Sequence, residues 1–65
     1  MLNISIPHSL IGMSEAAAKK AVSDNDFFFQ VIERDGVRVP HGRNTRLDRV
    51  NLIIEDETVM RAYIG

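Results

Sequence analysis

The stretch GVRVPHGRNTRLDRVNLII, residues 36–54, contains the strongest structural signal in this chain. It begins as an irregular basic segment that is broken by Pro40 and Gly42. It ends in Val50, Leu52 and Ile54, which recur at every second position, as in a half-buried strand. Compact domains rarely keep an irregular loop of about a dozen residues unless the loop is functional or disordered. We therefore expect an exposed, functional loop that leads into a buried strand.

Length and composition predict one small globular domain that spans residues 1–65. With 65 residues, only about 60% of the unfolded surface can be buried, so the core is thin. The 45% hydrophobic and 26% charged residues are typical of a folded domain rather than a disordered chain. The absence of cysteine excludes disulfides, thiolate zinc sites and a cysteine nucleophile.

The start of the chain, MLNISIPHSLIG, lacks the basic region and apolar run of a secretory signal. If the chain is complete, we therefore expect it to be cytoplasmic. No window approaches the roughly 18 apolar residues of a membrane span, so no membrane association is expected.

The distribution of charge indicates which kinds of partner this chain could bind. A net charge of −1 argues against a nucleic-acid surface, which is normally basic. The arginines are nevertheless concentrated in one part of the chain, at positions 34, 38, 43, 46 and 49. On charge alone, this cluster is either a solvated basic face or a surface that recognises another protein.

Local patterns predict one helix and three strands. Ser14 is a good N-cap for the helix SEAAAKKAVSD, whose apolar positions follow helical spacing. SIPHSLIG is expected to be irregular or extended, because Pro7 disfavours a helix through Ile6. The segments FFFQVIE, RVNLIIED and VMRAYIG are predicted strands, although the inward face of the phenylalanine-rich one stays open.

The expected fold class is α+β: a single helix packed on a small mixed sheet, with a long exposed loop joining two parallel strands. Parallel neighbours need a crossover of a dozen or more residues, and residues 36–48 supply it. The predicted core consists of Ile11, Ala18, Val22, Val31, Val50, Leu52 and Ile54. Val59 and Tyr63 are further candidates for inward positions.

The sequence contains no recognisable catalytic or metal-binding constellation. His8 and His41 lack a partner pattern for acid–base chemistry. The carboxylates of Glu55, Asp56 and Glu57 are adjacent on a predicted turn and should diverge, which disfavours a metal site. We expect no enzyme activity, no metal and no cofactor.

Two motifs resemble a known family. LIGMSEAAAKKAV is similar to the L-V-G-x-S-x-x-E-A-K-K-V pattern of the potato inhibitor I family of serine-protease inhibitors, the barley chymotrypsin inhibitor and eglin type. RLDRVNL is similar to that family's R-x-D-R-V-x-L, and both end in a hydrophobic residue followed by glycine. The order and spacing of these motifs extend the resemblance over most of the chain, from Pro7 to Gly65.

The resemblance implies a substrate-like reactive loop, from about Val37 to Arg46, that enters a protease active site. It places the scissile bond between Arg43 and Asn44, with His41 and Gly42 before it and Thr45 after it. The family's threonine stands here as Gly42, and its acid after the bond as Asn44. It also implies that the loop is supported from beneath by Arg46, Arg49 and Asn51, where Asn51 replaces a second supporting arginine.

The resemblance therefore predicts a monomeric serine-protease inhibitor, aimed at trypsin-like or subtilisin-like enzymes through Arg43. The alternative is a non-inhibitory protein-binding module that uses the same scaffold and its basic loop. In both cases the expected partner is a protein.

Overall fold

The computed structural model describes residues 6–42 and 44–65, and its four strands form one mixed sheet. The elements are α1 (Ile6–Leu10), α2 (Glu15–Asp24), β1 (Phe28–Arg34), β2 (Val37–Arg38), β3 (Arg49–Glu55) and β4 (Thr58–Ile64). The strand order is β2-β1-β3-β4, with β1 and β3 parallel and the outer pairs antiparallel. The predicted α+β class, with one main helix on a small mixed sheet, is confirmed.

Helix α2 begins where its sequence indicates. Ser14 has an extended backbone and its hydroxyl accepts a hydrogen bond from the Ala17 amide at 3.2 Å. Ala18 and Val22, four residues apart on one side of the helix, are fully buried against the sheet. Among the described residues no helix has the length and apolar character needed to span a bilayer.

The expectation of a single helix and an extended entry was wrong, because Ile6–Leu10 forms the short helix α1. Pro7 lies in its first turn, where a backbone N–H has no partner within the helix and a proline is tolerated. The turn directs Leu10 into the core and leaves Ile11 48% exposed. Leu10, and not Ile11 as predicted, therefore lies in the core.

The core lies between α2 and one face of the sheet. It consists of Leu10, Ala18, Val22, Val50, Leu52, Ile54 and Val59, with Val31 partly buried against it. Val50, Leu52 and Ile54 are buried as predicted, although Asn51 between them is also buried. Val59 faces inward as expected, but Tyr63 is exposed. Tyr63 pairs in register with Asn51, on the sheet face opposite to Leu52.

The predicted crossover loop contains a short strand. Asp35 and Gly36 both have positive φ, 50° and 81°, as in the two-residue turns that close hairpins. They let β2 return antiparallel to β1, with Glu33 opposite Arg38. The crossover between β2 and β3 is therefore residues 39–48, and its described residues, 39–42 and 44–48, lie over the sheet face that α2 does not cover.

Candidate functional site

Both ends of the loop 39–48 are tied to β1. The Val39 amide donates to the Ile32 carbonyl at 3.0 Å as the loop leaves β2. The Phe28 amide donates to the Asp48 carbonyl at 2.8 Å just before β3 begins. A loop that is anchored at both ends to one strand has few ways to open.

Gln30 supports the loop at Gly42. Its side-chain amide nitrogen lies 3.3 Å from the Gly42 carbonyl oxygen and 2.7 Å from Oδ1 of Asn51. Gln30 and Asn51 are register partners on β1 and β3, and Asn51 is only 6% exposed. The predicted supporting residue Asn51 therefore contacts Gln30, and Gln30 contacts the loop.

Arg49 supports the loop at Asn44. Its Nη2 donates to the main-chain oxygen of Asn44, and its Nε donates to the main-chain oxygen of Gly65 at 2.8 Å. The rigid guanidinium fork thus joins the loop to the residue that follows β4. The structure shows these contacts, and the supporting role predicted for Arg49 stays a prediction.

Arg43, the residue predicted to precede the scissile bond, lies outside the described residues. Its two neighbours are described, and their carbonyl groups are the ones that Gln30 and Arg49 hold. The main chain is therefore fixed immediately before and immediately after Arg43.

Arg46 contacts the C-terminal arm of the loop. It forms a two-pronged ion pair with Asp48, at 2.9 Å for both contacts, and its guanidinium lies 5.0 Å from the centre of the Phe28 ring. The hydrogen bonds from Arg46 lower the pKa of Asp48. Within the described residues Arg46 steadies this arm, and its predicted role beneath the reactive residues stays a prediction.

The remaining predicted loop residues lie along the same segment. The His41 ring nitrogen Nδ1 lies 2.6 Å from the Val39 carbonyl oxygen, which keeps the half-buried imidazole folded back on the loop. Thr45 is exposed. A Cβ added to Gly42 would lie 3.3 Å from Oδ1 of Asn44 and 3.4 Å from Nη1 of Arg49, so a side chain there would point towards the supporting groups.

A cleft of about 450 Å³ lies between the loop and the sheet. Its walls are formed by Gln30, Arg38, His41, Gly42, Asn44, Thr45, Arg49, Asn51, Tyr63, Ile64 and Gly65. The described side chains include no group of three potential metal ligands. The arrangement is suited to presenting a main chain in one conformation rather than to acid–base chemistry.

Sequence reasoning did not single out Gln30 or Phe28. Both lie in a segment that reads simply as an apolar strand, and their roles depend on the pairing of β1 with β3. Only the register, with Phe28 opposite Arg49 and Gln30 opposite Asn51, brings them beneath the loop.

No protein-family model matches the sequence, and no curated protein matches it significantly.

Proposed function

We propose that this chain is a serine-protease inhibitor of the potato inhibitor I type, which presents residues 39–48 as a substrate-like loop. The observation that carries the proposal is the support of the loop on both sides of Arg43. Gln30 holds the Gly42 carbonyl, and Arg49 holds the Asn44 carbonyl.

Support of this kind matters because a flexible loop loses conformational entropy when it enters an active site. A loop that already has its bound conformation avoids much of that loss. If the protease attacks the bond after Arg43, the anchored segment also keeps the new amine close to the acyl group, which favours resealing over hydrolysis.

Arg43 sets the proposed specificity. A guanidinium group pairs strongly and directionally with a carboxylate, so Arg43 suits an acidic specificity pocket such as that of a trypsin-like protease. A subtilisin-like enzyme with a broad pocket is the second target class.

The experiment is a titration of trypsin-like and subtilisin-like enzymes with the purified chain, in which we expect loss of activity at a one-to-one ratio. The Arg43→Ala variant should weaken inhibition of a trypsin-like enzyme by at least about 2 kcal/mol, roughly 30-fold, the scale of an interface hot spot. Arg61→Ala is the matched control, because it removes an exposed arginine from β4, far along the chain from the loop. Equal effects of the two substitutions would contradict the proposal.

A second candidate function is a non-inhibitory protein-binding module. It is favoured by exposed apolar side chains at the C-terminal arm of the loop, since Phe28 is 57% and Leu47 is 68% exposed. Exposed apolar side chains of this size are common anchors in protein interfaces. This function predicts that the titration leaves every protease active.

A further inference from the structure

The side of the sheet that carries the loop has an excess of positive charge. Arg38 and Arg49 line the cleft beneath the loop, and Arg46 lies on the C-terminal arm of the loop. Arg61 lies two residues before Tyr63 on β4, and Tyr63 lines the same cleft, so Arg61 shares that sheet face. We call the surface that carries these arginines the basic side.

The acidic residues beside these arginines only partly offset their charge. Among the described residues, Glu33 pairs in register with one of the arginines, and Asp48 forms an ion pair with another. Arg43 belongs to the same loop by sequence and adds a fifth positive charge. Five arginines and two acidic residues give the basic side a net charge of +3, whereas the whole chain has −1. If the chain ends at Gly65, its carboxylate lowers the charge of the basic side to +2.

An acidic surface lies at the opposite end of the sheet. Asp35 lies in the turn between β1 and β2, and Asp56 and Glu57 form the turn between β3 and β4. The two turns are in contact, because the Asp56 amide donates to Oδ1 of Asp35 at 2.8 Å. Seven residues of β3, roughly 20 Å of strand, separate the residue pair 56–57 from the end of the loop. The charged residues that remain are Glu55, at the end of β3, and those that lie in α2, directly after it, or in an ion pair with it.

We propose that the target of this chain is a serine protease with net negative charge around its active site, and that the basic side steers the two proteins into contact. This inference rests on the proposed function and adds the kind of enzyme. Complementary charges around an interface raise the association rate constant more than the affinity. Such steering accelerates association by about 10- to 1,000-fold. The acidic turns lie at the far end of the sheet, so the field of the chain also favours an approach with the loop foremost.

The proposal concerns charge rather than contact, and Arg38 illustrates the difference. Its side chain is exposed and forms no ion pair with another described residue. Its charge therefore acts outwards, towards an approaching protein. Removing it should change the rate of association and leave the rate of dissociation nearly unchanged.

The test is a stopped-flow measurement of the association rate constant of the purified chain with an anionic and a cationic trypsin. The two enzymes share the acidic specificity pocket and differ in surface charge. The screening length falls from about 30 Å at 10 mM salt to about 3 Å at 1 M salt. Over this range we expect association with the anionic enzyme to slow at least about tenfold, while dissociation changes little. Association with the cationic enzyme should not slow.

Two variants assign the effect to the basic side. At the lowest salt concentration Arg38→Gln should slow association with the anionic enzyme about twofold, as for two unit charges about 10 Å apart in water. Lys20→Gln is the matched control, because it removes one exposed charge from α2, on the other side of the sheet, and its effect should be smaller.

The outcomes separate this inference from the function on which it rests. Inhibition with an association rate that does not depend on salt, or equal slowing by the two variants, would overturn the steering and leave the proposed function intact. Failure to inhibit either enzyme at every salt concentration would overturn both.

Discussion

Gln30 and Asn51 face each other across the parallel pair β1 and β3, and their side-chain amides are joined by a 2.7 Å hydrogen bond. The same nitrogen of Gln30 also reaches the Gly42 carbonyl at 3.3 Å. The Gln30 side chain thus makes one contact within the sheet and one contact with the loop. The conformation of the loop is coupled to the register of the two central strands.

The first prediction concerns this amide pair. Gln30→Ala should destabilise the fold by about 1 to 3 kcal/mol, because it leaves the buried Oδ1 of Asn51 without its donor. It should also speed hydrogen exchange at the loop amides. A double-mutant cycle with Asn51→Ala, measured by denaturant unfolding, should show a coupling of at least about 0.5 kcal/mol. Additive single-variant effects would show that the two amides do not act together.

The second prediction concerns Arg49. Arg49→Ala removes the hydrogen bonds to Asn44 and Gly65 but leaves the apolar core untouched. Since a hydrogen bond from a charged group contributes about 1.5 to 3 kcal/mol, the loop should open at least about tenfold more often. Cleavage within residues 37–45 by the metalloprotease thermolysin measures this opening.

Arg46→Ala is the control for Arg49, because it breaks an exposed pair with Asp48 in the C-terminal arm. Exposed pairs contribute little, so the cleavage rate should rise much less than in Arg49→Ala. An unchanged cleavage rate in Arg49→Ala would remove Arg49 from the supporting role.

The third prediction concerns the core. Leu52 is fully buried at the centre of β3, so Leu52→Ala should reduce the free energy of unfolding by about 2 to 5 kcal/mol. Ile53→Ala, on the opposite face and half-buried, should have a smaller effect. Denaturant titration distinguishes the two, and a loss below about 0.5 kcal/mol at Leu52 would contradict its position in the core.

The fourth prediction concerns pH. Hydrogen bonds from Arg34 and then Lys19 lower the pKa of Glu15 from 4.5 to about 2, against a smaller opposing effect of burial. The Glu15 carboxylate accepts from both Nη groups of Arg34, which joins the start of α2 to the end of β1. Because the folded-state pKa is lowered, this stabilisation is present above about pH 4.5 and is lost as the pH falls through about 2.

The Glu15→Gln variant should therefore melt several degrees below the parent chain at pH 7, and the difference should shrink to near zero by about pH 2. Asp24→Asn is the matched control, since it breaks an exposed pair with Lys20 within α2. Thermal melts across this pH range check the prediction. A difference between Glu15→Gln and the parent that does not change with pH would contradict it.

Short-range patterns were enough to predict much of the fold. The Ser14 cap, the buried face of α2 and the alternation of Val50, Leu52 and Ile54 all follow from residues close together in sequence. Short-range patterns failed at α1. Pro7 disfavours a helix that continues through the residue before it, but it is tolerated where it lies within the first turn. These patterns also failed at Ile11, because the direction of the chain after α1 is set by a hydrogen bond from the Gly12 amide to the Val59 carbonyl.

The candidate site was predictable only in part. The position of Arg49 beneath the loop follows from its motif and from the strand that it begins. Gln30 has no local signal, because its partners Gly42 and Asn51 are 12 and 21 residues away. Such partners become visible only when the register of β1 against β3 is known.

We propose that a protease binds the loop of residues 39–48 but does not turn it over. The most direct test is to incubate the chain with an equimolar amount of trypsin and to follow both the enzyme activity and the mass of the chain. If this proposal holds, we expect an inactive enzyme and a chain that is mostly intact at the bond between Arg43 and Asn44. Complete cleavage after Arg43 with a fully active enzyme would contradict it, and would favour the loop as a contact surface for another protein.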